Sequence, residues 1–169
     1  IDGYSIERLD REKGGRGGLA VCIRNGISYS RLQHLTALEA VVIRVKLQSK
    51  DITVVNVYHR PRNTLDEEEE AAYRQLFRAF NRSAIILGDF NAYHTIFGAD
   101  KSDARGRLLE ELLDEYNMVA LNTGAGTHIK RDGDLSPIDI AMATPNIARS
   151  AGWAVHNDQL GSDHLPVII

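Results

Sequence analysis

The sequence predicts an α+β fold in which stacked sheets are covered by helices. Many short apolar runs have strand character, but only two stretches carry helical spacing, and both lie between strands. No repeat, low-complexity tract or linker divides the chain, so residues 1–169 read as one domain.

The elements follow in order. Residues 1–17 contain Gly3, Gly14, Gly15 and Gly17, with Lys13 and Arg16 among them. A phosphate-cradling loop would need a Gly-Lys-Ser/Thr run opening a helix, and neither follows. The stretch reads as a basic hairpin connection, with Lys13 and Arg16 as candidate contacts to a phosphate backbone. Residues 19–23 form a strand that holds Cys22, the only cysteine, as a buried small hydrophobe and not a reactive thiol. In residues 40–47, Val41, Ile43, Val45 and Leu47 alternate with Val42, Arg44 and Lys46, which predicts a strand with one buried and one wet face. Residues 51–58 are apolar on both faces and end at Tyr58, and Gln48-Ser49-Lys50 makes the two strands a hairpin. Pro61 prevents further ladder pairing.

The spacing predicts a helix over 66–80, with Ala72, Leu76, Phe77 and Phe80 inward. The acidic run Asp66-Glu67-Glu68-Glu69-Glu70 sits in its first turn, where the helix dipole favours anions, so it reads as helix electrostatics and not as a metal site. Residues 84–89 form a central strand buried on both faces. A second helix covers 103–116 through Leu108, Leu109, Leu112, Leu113 and Tyr116. Strands are expected at 118–121, 138–142, 152–156 and 167–169, with a turn at 122–126.

Composition narrows the function classes. Hydrophobic residues make up 43% and charged residues 25%, an ordinary globular mix, and no apolar run approaches the ~20 residues of a membrane span. No membrane partner is expected. The formal net charge of −3 opposes a broadly basic nucleic-acid surface, although arginines gather at Arg8, Arg11 and Arg16 and at Arg60 and Arg62. A lone Cys and scattered His residues lack zinc-ligand spacing.

The informative stretch is Gly88-Asp89-Phe90-Asn91-Ala92-Tyr93-His94. Asp89 stands where the central strand stops, and Asn91, two residues on, leaves extended backbone on the same side. Gly, Asp and Asn are also turn formers, so a plain strand-to-loop turn is the competing reading. Ser136-Pro137-Ile138-Asp139 and Ser162-Asp163-His164-Leu165-Pro166 add two acids and a histidine, and Asn56-Val57-Tyr58-His59-Arg60-Pro61 adds a tyrosine. Carboxylates and carbonyl oxygens suit Mg²⁺, which is held by few protein ligands and keeps its waters. Adjacent side chains diverge, so Asp163 is poorly placed to orient His164, and Asp139 from another strand is the better partner. Taken singly, Tyr58 could be a strand-end aromatic, Asp139 an isolated buried acid and His164 a surface turn residue. Tyr93 and His94 could touch DNA or pack beneath the loop.

These motifs, in this order, resemble the endonuclease/exonuclease/phosphatase superfamily, the DNase I-like fold, and look most like the endonuclease domain of non-LTR retrotransposons. The resemblance implies a four-layer sandwich of two stacked mixed sheets flanked by helices. It implies Mg²⁺-dependent (or Mn²⁺-dependent) phosphodiester hydrolysis, nicking one DNA strand to prime reverse transcription. It gives Asp89 the part of base or water-orienter, Asn91 a contact to phosphate and metal water, and Tyr58 a phosphate contact. His164 and Asp139 become a charged pair, Asp163, Asp89 and Asn91 the metal region, and His94, Arg60 and Arg16 candidate substrate contacts. A reverse transcriptase would be fused in the full-length protein, which would work inside the cell, in the nucleus. Alternatives within the resemblance are a phosphatase or phosphodiesterase for small or lipid substrates, or an inactive or DNA-binding remnant. The family begins with strands carrying an Asn and a metal-binding Glu, and Ile1-Asp2-Gly3-Tyr4 resembles the segment after that Glu. On that resemblance the chain is expected to be an N-terminally incomplete fragment, poorly active and less stable than a longer version.

Overall fold

In the computed structural model, residues 1–11, 18–33, 37–62 and 64–169 are described. Arg16 and Lys13, the expected phosphate contacts of the first connection, and His34 lie outside them. A hairpin opens the chain: β1 (Tyr4–Asp10) pairs antiparallel with β2 (Gly18–Arg24), from Tyr4 opposite Arg24 to Asp10 opposite Gly18. The main sheet has six strands, β3 (Tyr29–Leu32), β4 (Glu39–Lys46), β5 (Asp51–Tyr58), β6 (Ala84–Asp89), β7 (Val119–Ala120) and, later in the chain, β10 (Asp139–Ala143). Between them β8 (His128–Ile129) and β9 (Leu135–Ser136) make a small hairpin, and β11 (Ala154–Val155) with β12 (Val167–Ile168) makes another pair. The order across the main sheet is β3-β4-β5-β6-β10-β7. Every pairing is antiparallel except β5 with β6, whose parallel connection is made by helix α1 (Glu67–Ala79). Helix α2 (Ala104–Glu115) follows β6, and the short α3 (Pro145–Ala148) follows β10. The expected α+β layering is present.

Local chemistry explains the boundaries. The β4–β5 turn closes as Leu47 N–H donates to the Lys50 carbonyl at 3.0 Å. A capping box starts α1: the Asp66 carboxylate accepts from Glu69 N–H and the Glu69 carboxylate accepts from Asp66 N–H. Asp103 caps α2 by accepting from Gly106 N–H at 2.6 Å. Both helices cover the same face of the sheet. Tyr73, Leu76 and Phe77 of α1 and Leu109 and Leu112 of α2 join Val42, Val55, Val57, Ile86, Ile140 and Met142 in one core. Burying each such side chain contributes about 1.5–3 kcal/mol, so this layer holds the strands in place. The opposite face carries Ile85, Leu87 and Asp89, and β2 lies across β4 and β5 on that side, where Asn56 Nδ2 donates to the Ala20 carbonyl. Among the described residues, no helix is long and apolar enough to cross a membrane.

Several expectations are corrected. Cys22 is exposed on β2, not buried. Residues 1–17 are not all connection, because Tyr4, Ile6 and Arg8 alternate with Ser5 and Glu7 as strand β1. The strand at 40–47 is not wet along one whole face: Val41, Val42 and Ile43 are all buried, since both sides of β4 are covered there. The inward stripe of α1 uses Tyr73, whereas Phe80 is its C-cap and only partly buried. The strands expected at 118–121 and 152–156 shrink to two residues each.

Candidate active site

Strand register assembles the site. Tyr58 on β5 is paired with Asp89 on β6, and Asp89 with Asp139 on β10. Directly opposed residues present their side chains to the same face. Tyr58, Asp89 and Asp139 therefore form a row across three neighbouring strands, on the face turned away from the helices. The register depends on Gly88, whose φ is +140°: a Cβ there would collide with the Val57 carbonyl of β5.

His164 reaches this row from the far end of the chain. Its Nδ1–H donates to Asp139 Oδ2 at 2.8 Å, and among the described residues no hydrogen bond holds Nε2. That hydrogen bond raises the His164 pKa above its ordinary value, with the Asp139 and Asp89 charges adding to it against partial burial. His164 is steadied by a β-bridge to His128 and by ring contact with it at 4.7 Å. His128 Nδ1 is in turn 3.1 Å from Ser136 Oγ. Asp139 is fixed through its backbone: its N–H donates to Thr127 Oγ1 and its carbonyl accepts from Asn122 Nδ2.

Asp89 is half-buried. Burial, and then the neighbouring Asp139 charge, push its carboxyl up to about 6, although the Asn91 N–H that it accepts at 3.0 Å and the nearby His164 pull the other way. The site thus holds a carboxylate poised to take a proton near neutrality and a histidine inclined to keep one. Asn91 lies just beyond the strand with φ +45°, and its Nδ2 donates to the His59 carbonyl at 2.9 Å. The Tyr58 ring lies beneath the Arg11 guanidinium, 5.1 Å from its centroid.

The other expected residues are placed differently. The Asp163 carboxylate points into solvent, 76% exposed, with His128 Nε2 at 3.9 Å. Among the described residues, no three His, Cys, Asp or Glu side chains gather to hold a metal ion. Arg60 is exposed and pairs with Glu39 at 3.3 Å. His94 is buried: it accepts from Ile96 N–H as the cap of a 3-10 turn (Thr95–Phe97), packs on Phe97 and pairs with Glu110. Of its two readings, packing beneath the loop is the one its position fits. Tyr93 is the exposed neighbour, lining a cleft of about 370 Å³ with Lys101, Lys130 and Ser136.

Three contributors carried no signal in the sequence. Asn122 was read as a turn residue, but its amide bridges Asp139 and Ala141 on β10. The buried ring of His59 accepts from the Tyr73 hydroxyl at 2.7 Å and donates to Glu69 at 3.0 Å. Burial lowers its pKa, so it is neutral. Arg105, one residue into α2, reaches the loop that carries Asn91.

Comparison with known proteins places these features in a family context. The model of the family described as "Endonuclease-reverse transcriptase" matches residues 52–168, which include every member of the row and His164. Two relatives are the RNA-directed DNA polymerases from mobile element jockey of Drosophila funebris and of Drosophila melanogaster, each 27% identical over 99% of this chain. The chain spans 18% of the length of these curated relatives. In structure, it is similar to the endonuclease domain of TRAS1, a telomere-specific non-LTR retrotransposon, with a TM-score of 0.82, 25% identity and coverage of 99% of this chain and 77% of that one. An AP endonuclease from Leishmania major shares the fold at a TM-score of 0.67 and 15% identity, over 98% and 69% of the two chains.

Proposed function

Because this chain belongs to the endonuclease–reverse transcriptase family, we propose that it hydrolyses a phosphodiester bond in DNA, nicking one strand to leave a 3′-hydroxyl from which a fused reverse transcriptase primes synthesis. The observation that carries this reading is the row Tyr58, Asp89, Asp139, completed by His164 on Asp139.

Hydrolysis needs a water stripped of its proton and charge offset on the phosphorane and the leaving oxygen. Asp89 orients the water and takes its proton as the water oxygen bonds to phosphorus. The P–O3′ bond breaks, the phosphate stays on O5′ of the downstream fragment, and O3′ leaves as an alkoxide that takes its proton from solvent water. His164, held in one tautomer by Asp139, donates from Nε2 to a phosphate oxygen, and Tyr58 contributes its hydroxyl to the same group. Asn91 contacts the phosphate and, with a metal bound, would also contact one of the metal's waters.

Nucleases of this family generally use divalent metal ions. Mg²⁺ (or Mn²⁺) needs only one or two carboxylates from a protein, and the half-buried Asp89 beside Asn91 fits that requirement, with solvent-facing Asp163 as a further oxygen donor. When bound, the ion supplies charge neutralisation at the phosphate. The exposed Arg60 and Tyr93 serve as contacts to the strand, and the domain works on nuclear DNA.

The test is conversion of supercoiled plasmid to open circles with Mg²⁺. Nicking by the chain, abolished in Asp89→Ala and in His164→Ala with the fold intact, is the expected result. Release of phosphate from inositol phosphates without any plasmid nicking would overturn the DNA assignment.

A further inference from the structure

Beneath Asn91 lies a buried cation that the hydrolytic set does not use. Arg105 is 3% exposed, and its Nε has no hydrogen-bond partner among the described residues. Its Nη1 donates to the Phe90 carbonyl at 3.2 Å and to the Asn91 carbonyl at 2.7 Å. Burying a guanidinium with an unsatisfied Nε is costly, and such a group asks for a reason.

The reason lies in the loop that it grips. Asn91 has φ +45°, a left-handed conformation that is disfavoured for residues with a Cβ, although asparagine tolerates it better than most. The start of α2 takes hold of three carbonyls around it: Asp103 N–H donates to that of Tyr93 at 2.9 Å, and Arg105 to those of Phe90 and Asn91. Gly106 makes the approach possible, because a Cβ there would collide with the Tyr93 carbonyl. From the opposite side, the His59 carbonyl accepts from the Asn91 side chain, and the His59 ring is itself locked between Tyr73 and Glu69.

Building on the hydrolysis proposed above, we propose that Arg105 is a positioning residue, which holds the Asn91 backbone left-handed so that the Asn91 side chain and the Asp89 carboxylate face the phosphate together. Arg105 does not touch substrate. It acts through Asn91, by fixing where the chain turns away from β6.

The test compares Arg105→Gln, Arg105→Lys, Asn91→Ala and the double variant Arg105→Gln/Asn91→Ala in two readouts. In plasmid nicking, Arg105→Gln lowers kcat by about 10²-fold with KM nearly unchanged, Arg105→Lys recovers part of that loss, and the double variant is no slower than Asn91→Ala alone. In amide NMR of the metal-free chain, Arg105→Gln displaces the backbone and side-chain signals of Asn91 and leaves those of β4 and β5 in place. Multiplicative losses in the double variant, or unmoved Asn91 signals, would overturn the proposal. The NMR arm decides it even if the chain fails to nick DNA, so failure of the hydrolytic reading is distinguishable. If Arg105→Gln does not fold, Arg105→Lys carries both readouts, and a uniform loss of signal dispersion in that variant would show a purely structural role.

Discussion

Asp89 is an acid held where ionisation is costly, and its two roles pull apart. Its folded pKa is raised, so the stability linked to its proton is fully present below the ordinary value of 3.8 and is lost as pH rises through about 6. At neutral pH the ionised carboxylate therefore strains the fold. We expect Asp89→Asn to abolish nicking and yet to stabilise the metal-free chain at pH 8 by about 1–2 kcal/mol, after discounting for partial exposure. Urea unfolding at pH 8 and pH 3.5 checks this, since the gain should vanish at the lower pH. Activity should run the other way: nicking rises as Asp89 ionises through about pH 6, and falls again above the raised pKa of His164. A flat profile between pH 5 and 9 would show that the protonation states of these two groups do not govern hydrolysis.

At the scale of elements, the site is a product of strand alignment. Three strands bring Tyr58, Asp89 and Asp139 level, and a one-residue slip would send Asp89 to the helix-covered face. Gly88 guards that alignment. Gly88→Ala should cost more than about 3 kcal/mol, because it combines a positive φ with a collision against backbone that cannot move aside, and denaturant unfolding measures the loss. The bond from β10 to the His164 segment predicts a second outcome. Asp139→Asn should be nearly as damaging as His164→Ala, with the double variant little worse than either, because the two work as one unit.

Over the whole molecule, the site is held by its own hydrogen bonds. Asp89 binds Asn91, Asn91 binds His59, Asp139 binds His164 and Asn122, and all rest on a core shared by α1 and α2. On the proposed mechanism, a metal bound there would be a reagent and not part of the frame. EDTA is expected to stop nicking while moving the melting midpoint by less than about 2 °C, by calorimetry on the same sample. A fall of more than about 5 °C would make the ion a structural member.

The strands at 51–58 and 84–89 and the two helices are legible in the sequence, because each carries a sustained apolar period and a clear start or stop signal: the acids Asp66 and Asp103, Gly88, Pro61. Tyr58, Asp89, Asn91, Asp139 and His164 were legible as motifs, since their residue types and order are local facts. The pairing of Asp139 with His164 is also expected, from the resemblance and from the divergence of adjacent side chains. The links around them are not: Asn122 and Asp139 are 17 residues apart, Asn91 and Arg105 14, and no local pattern states such pairings. The short strands β3, β8 and β9 also escaped, because segments of two to four residues have too few positions to show a period and exist only against their neighbours. Residue chemistry and periodicity are written along the chain, whereas register, burial and the company a polar group keeps arise only when distant segments are pressed together by the core they share.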